Sequence, residues 1–178
     1  MTTVMIRAIE PKDATALQAL FSLPEVYRQT SLMPYPSEVF WQQKITPVDG
    51  WHHLVAELDG QVVGQVTIYL EPKMRRRHAA TLGLAVHPDF SGRGIGRQLM
   101  IAAMAVCDDW LNVQRIELIV YTDNEVAVRL YQKLGFVIEG RMLGYAFREG
   151  AYQDAYQMAR CRWPHPQSNR ADGPESEG

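Results

Sequence analysis

His87-Pro88-Asp89-Phe90-Ser91-Gly92-Arg93-Gly94-Ile95-Gly96-Arg97 joins a strand-like segment to a long helical one. Proline at 88 ends the strand because it cannot donate to a ladder. Beyond the loop, Ile95, Leu99, Ala103, Val106 and Trp110 recur on one face of a helix running to about Leu111. Backbone N–H groups at a helix start are unpaired, and the helix dipole favours an anion beside them. Glycines let the chain turn with positive φ and let a ligand approach closely. Strand, glycine loop and helix in this order therefore suggest a phosphate site, although an ordinary tight turn has the same composition. The spacing excludes two familiar versions. A P-loop needs Lys-Ser/Thr after its last glycine, where this chain has Arg97-Gln98. A dinucleotide loop needs Gly-x-Gly-x-x-Gly, where this chain has Gly92-x-Gly94-x-Gly96.

Upstream of the loop the pattern is antiparallel. Residues 51–58 alternate, Asp59-Gly60 is a two-residue hairpin signal, and Gln61–Leu70 returns. A third strand, residues 78–86, follows the basic run Lys73, Arg75, Arg76, Arg77, which reads as a solvated loop. Before this meander lie a short strand over 4–9 and a helix opened by Pro11 with Leu17, Leu20 and Phe21 on one face. A proline-rich helix-loop-helix excursion continues to about Ile45. Downstream, Arg115–Tyr121 is rich in β-branched residues, and residues 124–134 form a helix with Gly135 in the C′ role. Residues 136–147 and 152–160 pair through a turn at Arg148-Glu149-Gly150. A domain over residues 1–162 is expected, with a disordered tail over 163–178 that is rich in Pro, Gly, Ser and charge.

The loop Ser91-Gly92-Arg93-Gly94-Ile95-Gly96 resembles the Gln/Arg-x-x-Gly-x-Gly/Ala signature of the GCN5-related N-acetyltransferase (GNAT) superfamily, with Ser91 replacing the usual Gln or Arg. The segment Tyr121-Thr-Asp-Asn124-Glu-Val-Ala-Val-Arg-Leu-Tyr131-Gln-Lys-Leu-Gly135-Phe136 resembles that superfamily's second diagnostic stretch. The order β-α-α-β-β-β-α-β-α-β-β extends the resemblance from about residue 4 to about 161. It implies an α/β (α+β) GNAT fold: a mixed, mostly antiparallel sheet of about seven strands, splayed between strands 4 and 5, with about four helices. It also implies acetyl-CoA as co-substrate, with its pyrophosphate on the amides of Gly92, Gly94, Gly96 and their neighbours Ser91 and Ile95. Arg93 and Arg97 would pair with the phosphates. Leu84, Ala85 and Val86 would face the pantetheine arm, and Asn124 would hydrogen-bond one of its amides.

Composition sets the outer limits. The 178 residues suit one domain, and 47% hydrophobic residues suffice for a core. A net charge of −2 argues against a general nucleic-acid partner. Cys107 and Cys161 lie far apart, which fits a reducing compartment. No basic stretch with a long apolar core opens the chain, and no apolar run approaches ~20 residues. The expectation is a cytoplasmic protein with no membrane contact, no metal (HExxH is absent) and a small amine as partner. Homodimers are expected by analogy with the superfamily only.

Acyl transfer from a thioester needs a neutral amine, a stabilised oxyanion and an acid for the leaving thiolate. By resemblance Tyr131 is that acid, and a backbone N–H at Ala85 or Val86 meets the oxyanion. Glu117 is a candidate base, but a free α-amine of pKa ~8 is already about a tenth neutral at pH 7. Met33, Tyr35, Trp41 and Tyr145 are candidate acceptor contacts, with Arg148 as a nearby cation. The Pro-Glu-Val-Tyr and Gly-Tyr-Ala-Phe-Arg-Glu-Gly segments resemble the bacterial branch that acetylates free L-amino acids. Three rivals stand beside it: a protein N-terminal acetyltransferase, an antibiotic or polyamine acetyltransferase, and an acyl-CoA-binding sensor without turnover.

Overall fold

The computed structural model describes residues 3–163, so the tail expected over 163–178 lies, apart from Trp163, outside the described residues. One seven-stranded sheet carries the molecule, built from β1 (Met5–Ala8), β2 (Trp51–Leu58), β3 (Gln61–Leu70), β4 (Ala79–Val86), β5 (Arg115–Tyr121), β6 (Val137–Arg148) and β7 (Ala151–Cys161). Its order is β1-β2-β3-β4-β5-β7-β6, and every neighbour pair is antiparallel except β4–β5. The described helices are α1 (Ala14–Phe21), α2 (Pro24–Tyr27), α3 (Glu38–Lys44), α4 (Ile95–Ala105) and α5 (Glu125–Lys133). The expected excursion thus contains two short helices.

Local chemistry explains the boundaries. Glu10 and Asp13 form a capping box before α1, the Glu10 N–H donating to Asp13 Oδ2 at 2.8 Å. Asp59 and Gly60 both take positive φ, +51° and +79°, the twist a tight hairpin requires. Gly135 at φ +90° closes α5, with the Phe136 N–H bonding back to the Tyr131 carbonyl at 3.0 Å.

Each face of the sheet buries a helical layer. On one, Leu99, Met100 and Ala103 of α4 and Val128 of α5 pack on Val66, Ile68, Leu82 and Leu118. On the other, Leu17, Leu20 and Phe21 of α1 and Trp41 of α3 pack on Val55, Val62 and Ala85. Contact on the first face is close: a Cβ at Gly64 would lie 3.0 Å from Leu99 Cδ1 and 3.1 Å from the Ala85 carbonyl oxygen. Each of these fully buried aliphatic side chains contributes ~2 kcal/mol through removal from water.

The helix after the glycine loop departs from its expected apolar face. It widens into a π turn over Val106–Trp110, with the Leu111 N–H reaching the Val106 carbonyl at 3.1 Å. The wider turn adds a residue and rotates every later side chain about the helix axis. Cys107 is consequently buried, while Trp110 is 84% exposed instead of continuing the core stripe.

Candidate active site

The parallel β4–β5 ladder holds for only three residue pairs, Ala79 with Arg115, Ala80 with Ile116 and Thr81 with Glu117. Beyond them the strands part, each still paired on its outer side, β4 to β3 and β5 to β7. Two bonds set the phase of β4: Glu71 N–H to Ala79 C=O at 3.0 Å and His87 N–H to Val63 C=O at 2.8 Å. Odd-numbered residues of β4 therefore bond to β3, and the N–H and C=O groups of Leu82, Leu84 and Val86 turn toward the split. Of the two expected oxyanion donors, Ala85 is thus committed to β3, and Val86 presents its amide to the opening.

A cleft of about 900 Å³ passes through this opening. At one end lies the glycine loop. Gly92 and Gly94 take φ +76° and +77°, and nothing surrounds a Cβ at either position, so conformation alone demands glycine. No N–H from Gly92 to Arg97 has an acceptor among the described residues; the first helical bond there runs from Gln98 N–H to Gly94 C=O at 3.0 Å. A row of unpaired amides at the start of α4 is an anion cradle. Ser91 joins the wall through an extended backbone, and its replacement of Gln or Arg leaves the row of amides in place.

Leu84, Ala85, Val86, Ser91, Gly92, Gly94, Ile95, Gly96, Arg97, Asn124, Tyr131, Trp41 and Tyr145 all line the cleft. Asn124 caps α5, its Oδ1 accepting from the Ala127 N–H at 3.2 Å, which leaves the side-chain NH₂ free to donate to a ligand. Tyr131 is buried, rests against Phe136 at 6.0 Å between ring centroids, and its hydroxyl has no hydrogen-bond partner among the described residues. Burial pushes its phenol up to about 12, so it holds its proton across the neutral range.

Other candidates lie elsewhere. Arg93 sits outside the cleft wall with its guanidinium 5.1 Å from the Phe90 ring centroid. Met33 and Tyr35 are 79% and 91% exposed on the loop before α3, where Tyr35 takes φ +61°, and neither reaches the cleft. Glu117 points away too. It receives Arg115 at 2.6 Å and Arg76 at 2.9 Å, and although burial opposes its charge, these guanidiniums hold its carboxyl below the usual range. Such a carboxylate is an anchor beside the three-pair ladder and not a free base. Glu117→Gln is expected to lower the melting temperature while kcat stays within ~2-fold of wild type and its pH profile is unmoved. A shifted acid limb in that profile would restore the base role.

Arg148 is also occupied. It pairs with Asp123, donates to the Arg28 carbonyl at 3.1 Å and stacks 4.9 Å over Tyr121. Tyr121 in turn donates to the Thr30 carbonyl at 3.2 Å. Together these contacts fasten residues 28–30 to β5 and β6, forming a wall of the cleft. Sequence reasoning missed most of that end: Phe21, Glu25, Lys44, Trp51, Gln65, Thr67 and Tyr69 line it. A signal existed, since Gln65 and Thr67 are polar residues at alternate positions inside an otherwise apolar strand. Both contact His53 Nδ1 at 3.1 Å. The Cys107 thiol is pushed up to about 12 by burial and the charge of Asp108, so it offers no thiolate nucleophile. Among the described residues no helix is long and apolar enough to cross a membrane.

Comparison with known proteins agrees with this geometry. Residues 17–136 match the model of the Acetyltransferase (GNAT) family. This chain belongs to that family. It is an acetyl-CoA-dependent N-acetyltransferase. The L-amino acid N-acetyltransferase AaaT of Escherichia coli (strain K12) is 42% identical over 162 residues, covering 91% of this chain and 100% of that protein. A GNAT-family acetyltransferase from Streptococcus pneumoniae superposes with a TM-score of 0.78 at 32% identity, over 89% of this chain and 99% of that one. The spermidine N-acetyltransferase of Vibrio cholerae, solved with CoA and spermine, superposes with a TM-score of 0.80 at 25% identity, over 89% of this chain and 95% of that one.

Proposed function

We propose that this N-acetyltransferase acetylates the α-amine of a free L-amino acid with an apolar side chain. The observation that carries the reading is the charge of the cleft. Glu25 is the one carboxylate among its lining residues, against the cations Lys44 and Arg97, with Phe21, Trp41, Trp51, Tyr69, Tyr121 and Tyr145 supplying aromatic surface. Polyamines and aminoglycosides need several anions to replace their water, so a single acid serves them poorly. An amino acid carries one cation to be consumed and one anion to be recognised. The likeness to an L-amino acid N-acetyltransferase along the whole length of that protein supports the same class.

The unpaired amides from Gly92 to Arg97 fit the pyrophosphate of coenzyme A, with Arg97 adding charge. The open edge at Leu82, Leu84 and Val86 fits the amides of its pantetheine arm, and the Asn124 NH₂ can donate to one of their carbonyls. Bound there, acetyl-CoA supplies an activated acetyl group. The Val86 N–H is then aimed into the split, where the acyl oxygen gains charge. Tyr131 holds a proton for the leaving sulfur. Glu117 is held by Arg115 and Arg76 and is not the base, so the amine proton leaves through water, which an α-amine of pKa ~8 permits.

Thiol release from acetyl-CoA tests the acceptor, using free amino acids, short peptides, spermidine and an aminoglycoside. Aromatic and sulfur-containing amino acids are expected to give kcat/KM at least ~10-fold above spermidine. A preference for spermidine or peptides, or no turnover of any amino acid, would overturn the reading.

A further inference from the structure

Lys44, the last residue of α3, stands in the wall of the cleft beside Trp41 and Trp51. Its ammonium lies 5.6 Å from the ring centroid of Trp51, 5.7 Å from that of Phe40 and 6.0 Å from that of Trp41. No carboxylate among the described residues pairs with it and no protein acceptor takes its N–H groups. Burial lowers its pKa, and no opposing charge acts on it. Aromatic faces return part of the lost hydration but offer its three donors no acceptor.

The surroundings keep this charge single. His53, close enough to feel it, is pushed down to about 4 by burial and then by Lys44, so it is neutral at working pH. Gln65 and Thr67, hydrogen-bonded to His53, add neutral polar groups to the same end of the cleft. Arg148, the other cation of this region, is spent on Asp123 and the Arg28 carbonyl.

We propose that Lys44 holds the α-carboxylate of the acceptor and is the residue that selects amino acids over amines lacking that group. The assignment rests on the amino-acid reading above. A lone ammonium framed by flat apolar rings matches a carboxylate attached to an apolar body. A merely structural lysine, its stem laid over the rings, would show no preference for a ligand's charge.

Binding separates these cases without relying on turnover. N-acetyl-L-phenylalanine and its uncharged amide are titrated by calorimetry into wild type, Lys44→Met and Lys44→Arg. Methionine keeps the stem over the rings, arginine keeps the charge, and thermal melting confirms that each variant folds. Wild type is expected to bind the acid at least ~10-fold tighter than the amide, the size of a charge-assisted contact. Lys44→Met should bind both alike, and Lys44→Arg should keep most of the preference. In turnover, KM for L-phenylalanine should rise at least ~10-fold in Lys44→Met with kcat within ~3-fold. Equal binding of acid and amide by wild type, a preference that survives Lys44→Met, or no binding of either would overturn the assignment. A Lys44-dependent preference in a wild type that acetylates no free amino acid would instead overturn the acceptor class and uphold the anion site.

Discussion

Tyr131→Phe is expected to lower kcat by ~10²- to 10³-fold, the loss typical of a positioned acid. The melting temperature should stay nearly unchanged. Both expectations come from one observation: the hydroxyl sits at the cleft with no hydrogen-bond partner among the described residues. Phenylalanine keeps the ring against Phe136 and Val128 and removes only the proton donor. The pH profile gives an independent reading. With the phenol raised to about 12, Tyr131 remains an acid well into the alkaline range, so wild-type kcat should show no fall from its ionisation below pH ~10. At low pH the rate should fall because the acceptor amine is protonated. Steady-state and single-turnover thiol release measure both. A kcat within ~3-fold of wild type would remove Tyr131 from the chemistry and leave it a core residue.

Asp13→Ala is expected to destabilise the fold by about 3 kcal/mol, or ~10 °C in melting temperature. Asp13 is 3% exposed and receives both terminal nitrogens of Arg7, at 2.8 and 2.9 Å, as well as the Glu10 N–H at 2.8 Å. Burial raises its pKa, but the guanidinium of Arg7 and the Glu10 amide outweigh burial and hold it below the usual value. A depressed carboxylate contributes its full stability above the unfolded value of ~3.9 and loses it as pH falls through the lower folded value. Asp13→Asn, which keeps an oxygen for the Glu10 N–H, should cost less. Removal also leaves Arg7 with only Glu57, at 2.8 Å, and the Ala8 carbonyl, at 3.1 Å, among the described residues. Urea unfolding at neutral pH and near pH ~3 checks the magnitude and the direction. A loss under ~1 kcal/mol at neutral pH would mean that the pair merely balances its own desolvation.

How far the residues announced this fold depended on whether local chemistry or distant packing decided. Asp59-Gly60, Gly92, Gly94 and Gly135 all take the left-handed backbone their positions suggested, because a turn or helix end is a short-range matter. The strand Arg115–Tyr121 was legible for the same reason. Trp110 was not, since a π turn cannot be seen in a periodicity that assumes a uniform helix. Within the site, the glycine loop, Asn124 and Tyr131 were readable as spaced motifs. Lys44 was not, because it joins the site only through tertiary packing of α3, and the polar alternation of Gln65 and Thr67 within β3 gave no hint of that partner. Met33 and Tyr35 showed the opposite error: apolar side chains near a pocket in sequence that the loop turns outward.

The open edges of β4 and β5 would be a hazard at the rim of a sheet, where unpaired strands recruit other chains and seed aggregates. Here each edge faces the other across a gap closed at one end by their three shared residue pairs. A folded neighbour is too thick to reach them; a slender extended molecule is not. The same backbone groups that most proteins must hide are thereby turned into a filter by thickness.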